Sequence, residues 1–257
     1  MKHPIKFLVK TACLSFFIVL STTANAITNI EKQRIKNQEH GLQGAALANI
    51  KTNRGRSLKN HISAEGQIHY LMENSRWLNW ISGEQGEVND VTTDESRFIH
   101  SRYIMNTSNT WQPEIFGQWQ KDSFAALNHR ALAGAGFRIA LTKQSHKTVQ
   151  WSQGLGAFHE WLNEANEEQE NTRLNLYNHL IYQPNGKDKF SLSSTIYYQP
   201  NIEDNEDYQA IWQWQFNQPI SKRFSIIFSW KSEWDSRPPT GISKSNHASA
   251  TRIKFSF

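Results

Sequence analysis

The sequence predicts an all-β chain: a transmembrane up-and-down antiparallel β-barrel of about twelve strands. Three observations lead there. Apolar and polar residues alternate with period two through most of the chain after Gly41, the mark of strands with one apolar face. The alternating runs often reach ten residues or more, where soluble strands average about 5–6. In the last run Thr251, Ile253, Phe255 and Phe257 alternate with Arg252, Lys254 and Ser256.

Residues 1–26 are expected to be a signal peptide. Lys2, Lys6 and Lys10 form a basic start, Leu14 to Leu20 an apolar core, and Ala24-Asn25-Ala26 a small-x-small cleavage site. That core is too short to span about 30 Å of hydrocarbon as a helix. Cleavage after Ala26 removes Cys13, the one cysteine, so thiol and zinc-ribbon chemistry are not expected. It also removes three of the 28 basic residues, leaving 25 against 23 acidic ones. The sequence pI of 9.2 therefore overstates the basicity of the exported chain, and charge gives no argument for nucleic-acid binding. Residues 27–40 read as a polar periplasmic extension, with Ile27, Ile30 and Ile35 too sparse to bury.

Residues 41–257 read as one barrel domain. Ile62, Ala64, Ile68 and Tyr70 alternate with His61, Glu65, Gln67 and His69. Ala131, Ala133, Ala135, Phe137 and Ile139 oppose a face holding Arg130 and Arg138. Trp212, Trp214 and Phe216 alternate with Gln213, Gln215 and Asn217, and Phe224, Ile226, Phe228 and Trp230 form the next such face. Turn-like breaks fall at 53–55, 83–94, 106–110, 164–171, 184–186, 201–207 and 238–241. Aromatics are 12% of the chain, with 10 Trp, and they fall near strand ends as in the girdles of membrane barrels. Mean hydropathy is −0.66, and beyond the leader no apolar run approaches the ~20 residues of a membrane helix. A sheet inside hydrocarbon must close, because each unpaired amide there costs several kcal/mol.

A family resemblance follows from specific blocks. Asp122, Phe124, Leu127 and Arg130 followed by Gly134 and Gly136 resemble the Asp-x-Phe-x-x-Leu-x-x-Arg, Gly-x-Gly block of the YdiY-like family of salt-induced outer-membrane proteins. Gly154-Leu155-Gly156 with Glu160, Tyr198-Gln199-Pro200 with Asp204 and Tyr208, and Asp235-Ser236-Arg237-Pro238-Pro239 are similar to its later blocks. Arg54-Gly55-Arg56 departs from the turn expected in the first hairpin. The resemblance implies an outer-membrane barrel with a link to salt or osmotic stress, and no defined reaction.

Candidate chemistry is sparse. His61 and Ser63, two apart on one strand face, could form a nucleophile and base of a lipid A or phospholipid hydrolase. The competing expectation is that they line the lumen with Glu65, Gln67 and His69. Glu65, Arg102, Glu114, Arg130, Arg138 and Lys254 are the expected lumen charges, pairing across the barrel or meeting water. Ile253, Phe255 and Phe257 are the expected signal to the outer-membrane assembly machinery. The acid-rich segments 84–95, 164–170 and 203–207 are expected as outer loops that could share divalent ions with lipopolysaccharide. None has the spacing of a calcium loop, so no metal site is assigned. No catalytic residue and no cofactor are assigned either. Expected partners are outer-membrane lipid and lipopolysaccharide; the ligand is not specified. The expected location is the outer membrane of a Gram-negative bacterium, with both termini periplasmic.

Overall fold

The computed structural model describes residues 40–54, 58–89, 91–105, 110–123, 125–142, 148–184, 189–221 and 224–255, with the backbone alone at 45, 47, 49, 51–54, 58, 59, 94 and 252–255. The expected signal peptide, the expected extension before residue 40, Phe257 and the side chains of Ile253, Lys254 and Phe255 lie outside the described residues. Twelve strands follow one another: β1 (Gly41–Arg54), β2 (Leu58–Leu71), β3 (Ser75–Val88), β4 (Val91–Met105), β5 (Trp111–Asp122), β6 (Leu127–Ala140), β7 (Val149–Glu164), β8 (Glu167–Tyr182), β9 (Ser191–Pro200), β10 (Tyr208–Pro219), β11 (Phe224–Asp235) and β12 (Ser245–Phe255). Each pairs antiparallel with its neighbours in the chain, giving one sheet in the order β1 to β12.

The sheet curls on itself. Arg130 on β6 donates to Gln209 on β10 at 3.5 Å, although β7, β8 and β9 lie between them. At ~4.8 Å per strand a flat sheet would hold these backbones about 19 Å apart, so the inner face is concave. Among the described residues β1 and β12 are not paired, and they form the two edges of a seam.

Two predicted loops are instead strand. The acidic stretches at 84–95 and 164–170 continue β3, β4, β7 and β8, so among their described residues only 89, 165 and 166 are turn. Ala165 and Asn166 both have positive φ, at 51° and 68°, the pattern of a two-residue hairpin turn whose twist matches its strands. The polar composition of these stretches suggests loop but belongs to strand ends. The segment 201–207 is a loop as expected.

Alternation fixes which side chains face outward. Exposed Tyr70, Trp77, Trp111, Trp151, Tyr182 and Phe224 sit at the strand ends nearest the termini. Trp119, Trp161, Tyr198, Tyr208, Trp212 and Trp234 sit toward the opposite ends, with exposed Ile81, Ile99, Ile115, Leu155 and Ile196 between the two belts. Trp151 and Trp161 are ten residues apart on β7, about 33 Å at ~3.3 Å per residue. Tilted as barrel strands are, that length stands about 25 Å tall, the height of an outer-membrane apolar band.

The inner face is not uniformly polar. Phe116, Leu132 and Phe158 form one buried cluster, and Tyr177, Tyr197 and Ile211 another. Glycines on the same face make the room. A Cβ at Gly134 would lie 2.6 Å from the Ala157 carbonyl, from Phe116 and from Phe158, and one at Gly154 would lie inside the Tyr177 ring at 1.8 Å. Gly134→Ala is expected to lower stability by about 1–3 kcal/mol, the usual cost of overpacking. Gly83→Ala, whose new carbon meets nothing closer than 3.7 Å, is expected to change it by less than ~0.5 kcal/mol; urea midpoints of the two refolded variants check the contrast.

Candidate functional site

The inner wall carries the chemistry. Strand β7 turns Phe158, Glu160 and Leu162 inward, all buried, while its outward face shows exposed Leu155, Ala157 and Trp161. Antiparallel register then sets Arg130 of β6 and Arg173 of β8 on either side of Glu160. Arg130 Nε donates to Glu160 Oε2 at 2.6 Å, and Arg173 Nε to Oε1 at 2.6 Å. Glu160 is 0% exposed. Arg173 also grips Asp207 with both terminal nitrogens, at 2.8 and 3.2 Å. This ties the 201–207 loop to the inner wall. Asn201 reinforces it, donating to Asn171 at 3.1 Å and to Asp207 at 3.2 Å.

Two arginines and two carboxylates leave this network neutral; Arg173 meets Asp207 in the forked geometry that suits carboxylate, while Arg130 turns Nε and Nη2 to the same Glu160 oxygen. The network runs on across the interior: Arg130 reaches Gln209, and Gln209 donates to Asp235 of β11 at 3.1 Å. Lys231 and Glu233, also on β11, pair at 2.6 Å, with Asp122 of β5 near enough to act on both charges.

A second buried pair lies nearer the end that carries the termini. Arg102 Nη1 donates to Glu114 at 2.9 Å, with its guanidinium 4.8 Å from the centre of the Phe116 ring. Arg138 donates to Gln112 at 3.5 Å.

The structure thus places the expected lumen residues Arg102, Glu114, Arg130 and Arg138 on the inner face, the first three buried. Glu65 is half-buried there, on the same face of β2 as His61, Ser63 and His69. Lys254's side chain lies outside the described residues.

Glu160, Arg173 and Asp207 were missed as a network, although Arg173, Asn175, Tyr177 and His179 form a period-two series that marks an inner face. The His61 and Ser63 pair also faces inward, with His61 Nε2 3.9 Å from Glu84 Oε2. That acid comes from β3 and could not be paired with His61 by spacing along β2. Among the described residues no group of three or more His, Cys, Asp or Glu is placed to hold a metal ion.

A curled antiparallel sheet with an apolar, aromatic-belted exterior and an ion-paired interior is a β-barrel of the membrane-spanning class. Residues 48–257 match the family described as "Protein of unknown function, DUF481", and the chain belongs to that family. Among solved structures it is similar to one described as "NanC porin structure in rhombohedral crystal form", at 8% identity and TM-score 0.47, covering 82% of this chain and 98% of that one. A second, described as "Unveiling the Mechanism Behind the in-meso Crystallization of Membrane Proteins", matches at 7% identity and TM-score 0.42, covering 85% and 83%. No curated protein matches the chain.

Glu160→Ala is expected to cost about 3–5 kcal/mol, because it leaves two buried guanidiniums without their shared carboxylate. Glu160→Gln keeps the side-chain volume and one acceptor, and is expected to cost less; urea unfolding of both variants gives the order.

Proposed function

We propose that this protein is an outer-membrane barrel of a Gram-negative envelope that passes small ions through a narrow polar path and catalyses no reaction. The observation that carries the reading is the opposition of the two faces. Outside, two aromatic belts bracket a band of Ile and Leu about as tall as the hydrocarbon layer. Inside, charged groups are present and buried, and they are paired as burial requires. The packed clusters around Phe116 and Tyr177 argue for a constricted path along the strands that lack them, not a wide pore. An open edge in hydrocarbon would leave amides unsatisfied, so the β1 and β12 edges would meet in the membrane. The salt-linked resemblance fits a protein whose lumen is lined by ion pairs.

A second reading has one observation in its favour: Glu84 stands beside His61, as an orienting acid would beside a base. Against it, His61 and Ser63 face the interior, away from acyl chains. Incubation with phospholipid and lipid A is expected to release no product, and cleavage that disappears in Ser63→Ala would reverse this reading.

Refolded protein is expected to migrate differently in detergent gels before and after boiling, and to give small current steps in planar bilayers. Tyr177→Ala combined with Tyr197→Ala is expected to enlarge the steps by clearing the constriction. A native chain and a variant that both stay silent would make the barrel a sealed one.

A further inference from the structure

One polar constellation sits on the wrong side of the wall for the interior network. Ser232 of β11 shares its register position with exposed Trp212 on β10 and with His247 on β12, so it faces outward. It is nevertheless 3% exposed. Trp230 Nε1 donates to Ser232 Oγ at 2.8 Å, and Oγ lies 2.8 Å from His247 Nδ1. The exposed His247 ring stacks on Trp230 at 5.9 Å and meets Trp234 edge-on at 6.0 Å. The group lies three residues from the end of β11, within the aromatic belt farther from the termini.

Hydrogen-bond logic sets the direction of this chain. An indole N–H can only donate, so Ser232 Oγ accepts it. The serine hydrogen can then go to His247 Nδ1, an arrangement in which the neutral imidazole carries its proton on Nε2. Among the described residues nothing bonds Nε2. A donor at this height in a lipid-facing wall, framed by two indoles, calls for an anionic or carbonyl oxygen from lipid.

We propose that His247, oriented by Ser232 and Trp230 and flanked by Trp234, binds a phosphate of lipopolysaccharide on the outer wall of β11 and β12. The proposal rests on the outer-membrane reading with periplasmic termini, which puts this belt in the outer leaflet. It adds a specific lipid site to that reading.

The test uses the refolded full chain in detergent micelles, titrated with lipopolysaccharide, with its enzymatically dephosphorylated form, and with phosphatidylglycerol, and read by native mass spectrometry. The native chain is expected to bind the phosphorylated glycolipid about tenfold more tightly than either comparison lipid, one bond's worth of discrimination. His247→Ala is expected to abolish that preference while leaving heat-modified migration unchanged. Trp230→Phe, which keeps a ring but loses the N–H to Ser232, is expected to reduce it in part. An undiminished preference in His247→Ala, or equal binding of phosphatidylglycerol by the native chain, overturns the proposal. A native chain that shows no heat-modified migration removes the barrel reading and the site with it.

Discussion

A β-strand presents successive side chains to opposite sides, and everything in this structure depends on that constraint holding across twelve strands at once. On β7 it sends Phe158, Glu160 and Leu162 inward and Leu155, Ala157 and Trp161 outward. A slip of one residue would put Glu160 outside and Trp161 inside. Register is therefore held by both faces together. The outer face loses its apolar band if it slips, and the inner face loses the carboxylate that two arginines share. The β3–β4, β5–β6 and β6–β7 pairings do contain irregularities, each close to the end opposite the termini. There a local shift changes the aim of a strand end without moving the central ladder.

The interior shows how a narrow barrel reconciles charge with close packing. Arg102, Glu114, Arg130, Glu160 and Arg173 are each 4% exposed or less, so none can rely on bulk water. Each finds a partner on an adjacent strand at 2.6–2.9 Å. Guanidinium planes also lie over rings, Arg102 on Phe116 and Arg130 at 5.8 Å from Phe158. These contacts explain why large aromatics occur on the polar face. They back the arginines while glycines on neighbouring strands clear their volume. Replacing such pairs by apolar residues need not destabilise a fold, so stability alone does not account for them.

Much of the architecture was legible in the sequence because alternation is a local property. The order of strands, the inward turn of Arg102, Glu114, Arg130 and Arg138, and the outward turn of Trp212, Phe224 and Ile226 can all be read one strand at a time. What failed needed two strands. Residues 84–88 and 167–170 are acidic and resemble loop, yet their partners across the hairpin extend the ladder. Phe116 and Tyr177 sit on a polar face because Gly134 and Gly154 stand opposite, a fit visible only once register is known. Asp207 reaches Arg173 from a loop 34 residues away in sequence. Spacing along one strand does not encode that contact.

Histidine and serine meet in two places, and comparing them separates residue type from role. His61 and Ser63 share one strand and look into the barrel, with His61 Nε2 3.9 Å from Glu84 Oε2. Ser232 and His247 come from adjacent strands and face out among indoles. A nucleophile must reach its substrate, and Ser232 is enclosed, with its oxygen already accepting from Trp230. Its hydroxyl acts on the imidazole and not on lipid. The chemistry proposed for that pair is therefore recognition by the exposed ring, whereas His61 faces the interior beside Glu84. The face on which alternation places each pair, more than its composition, sets what the pair can do.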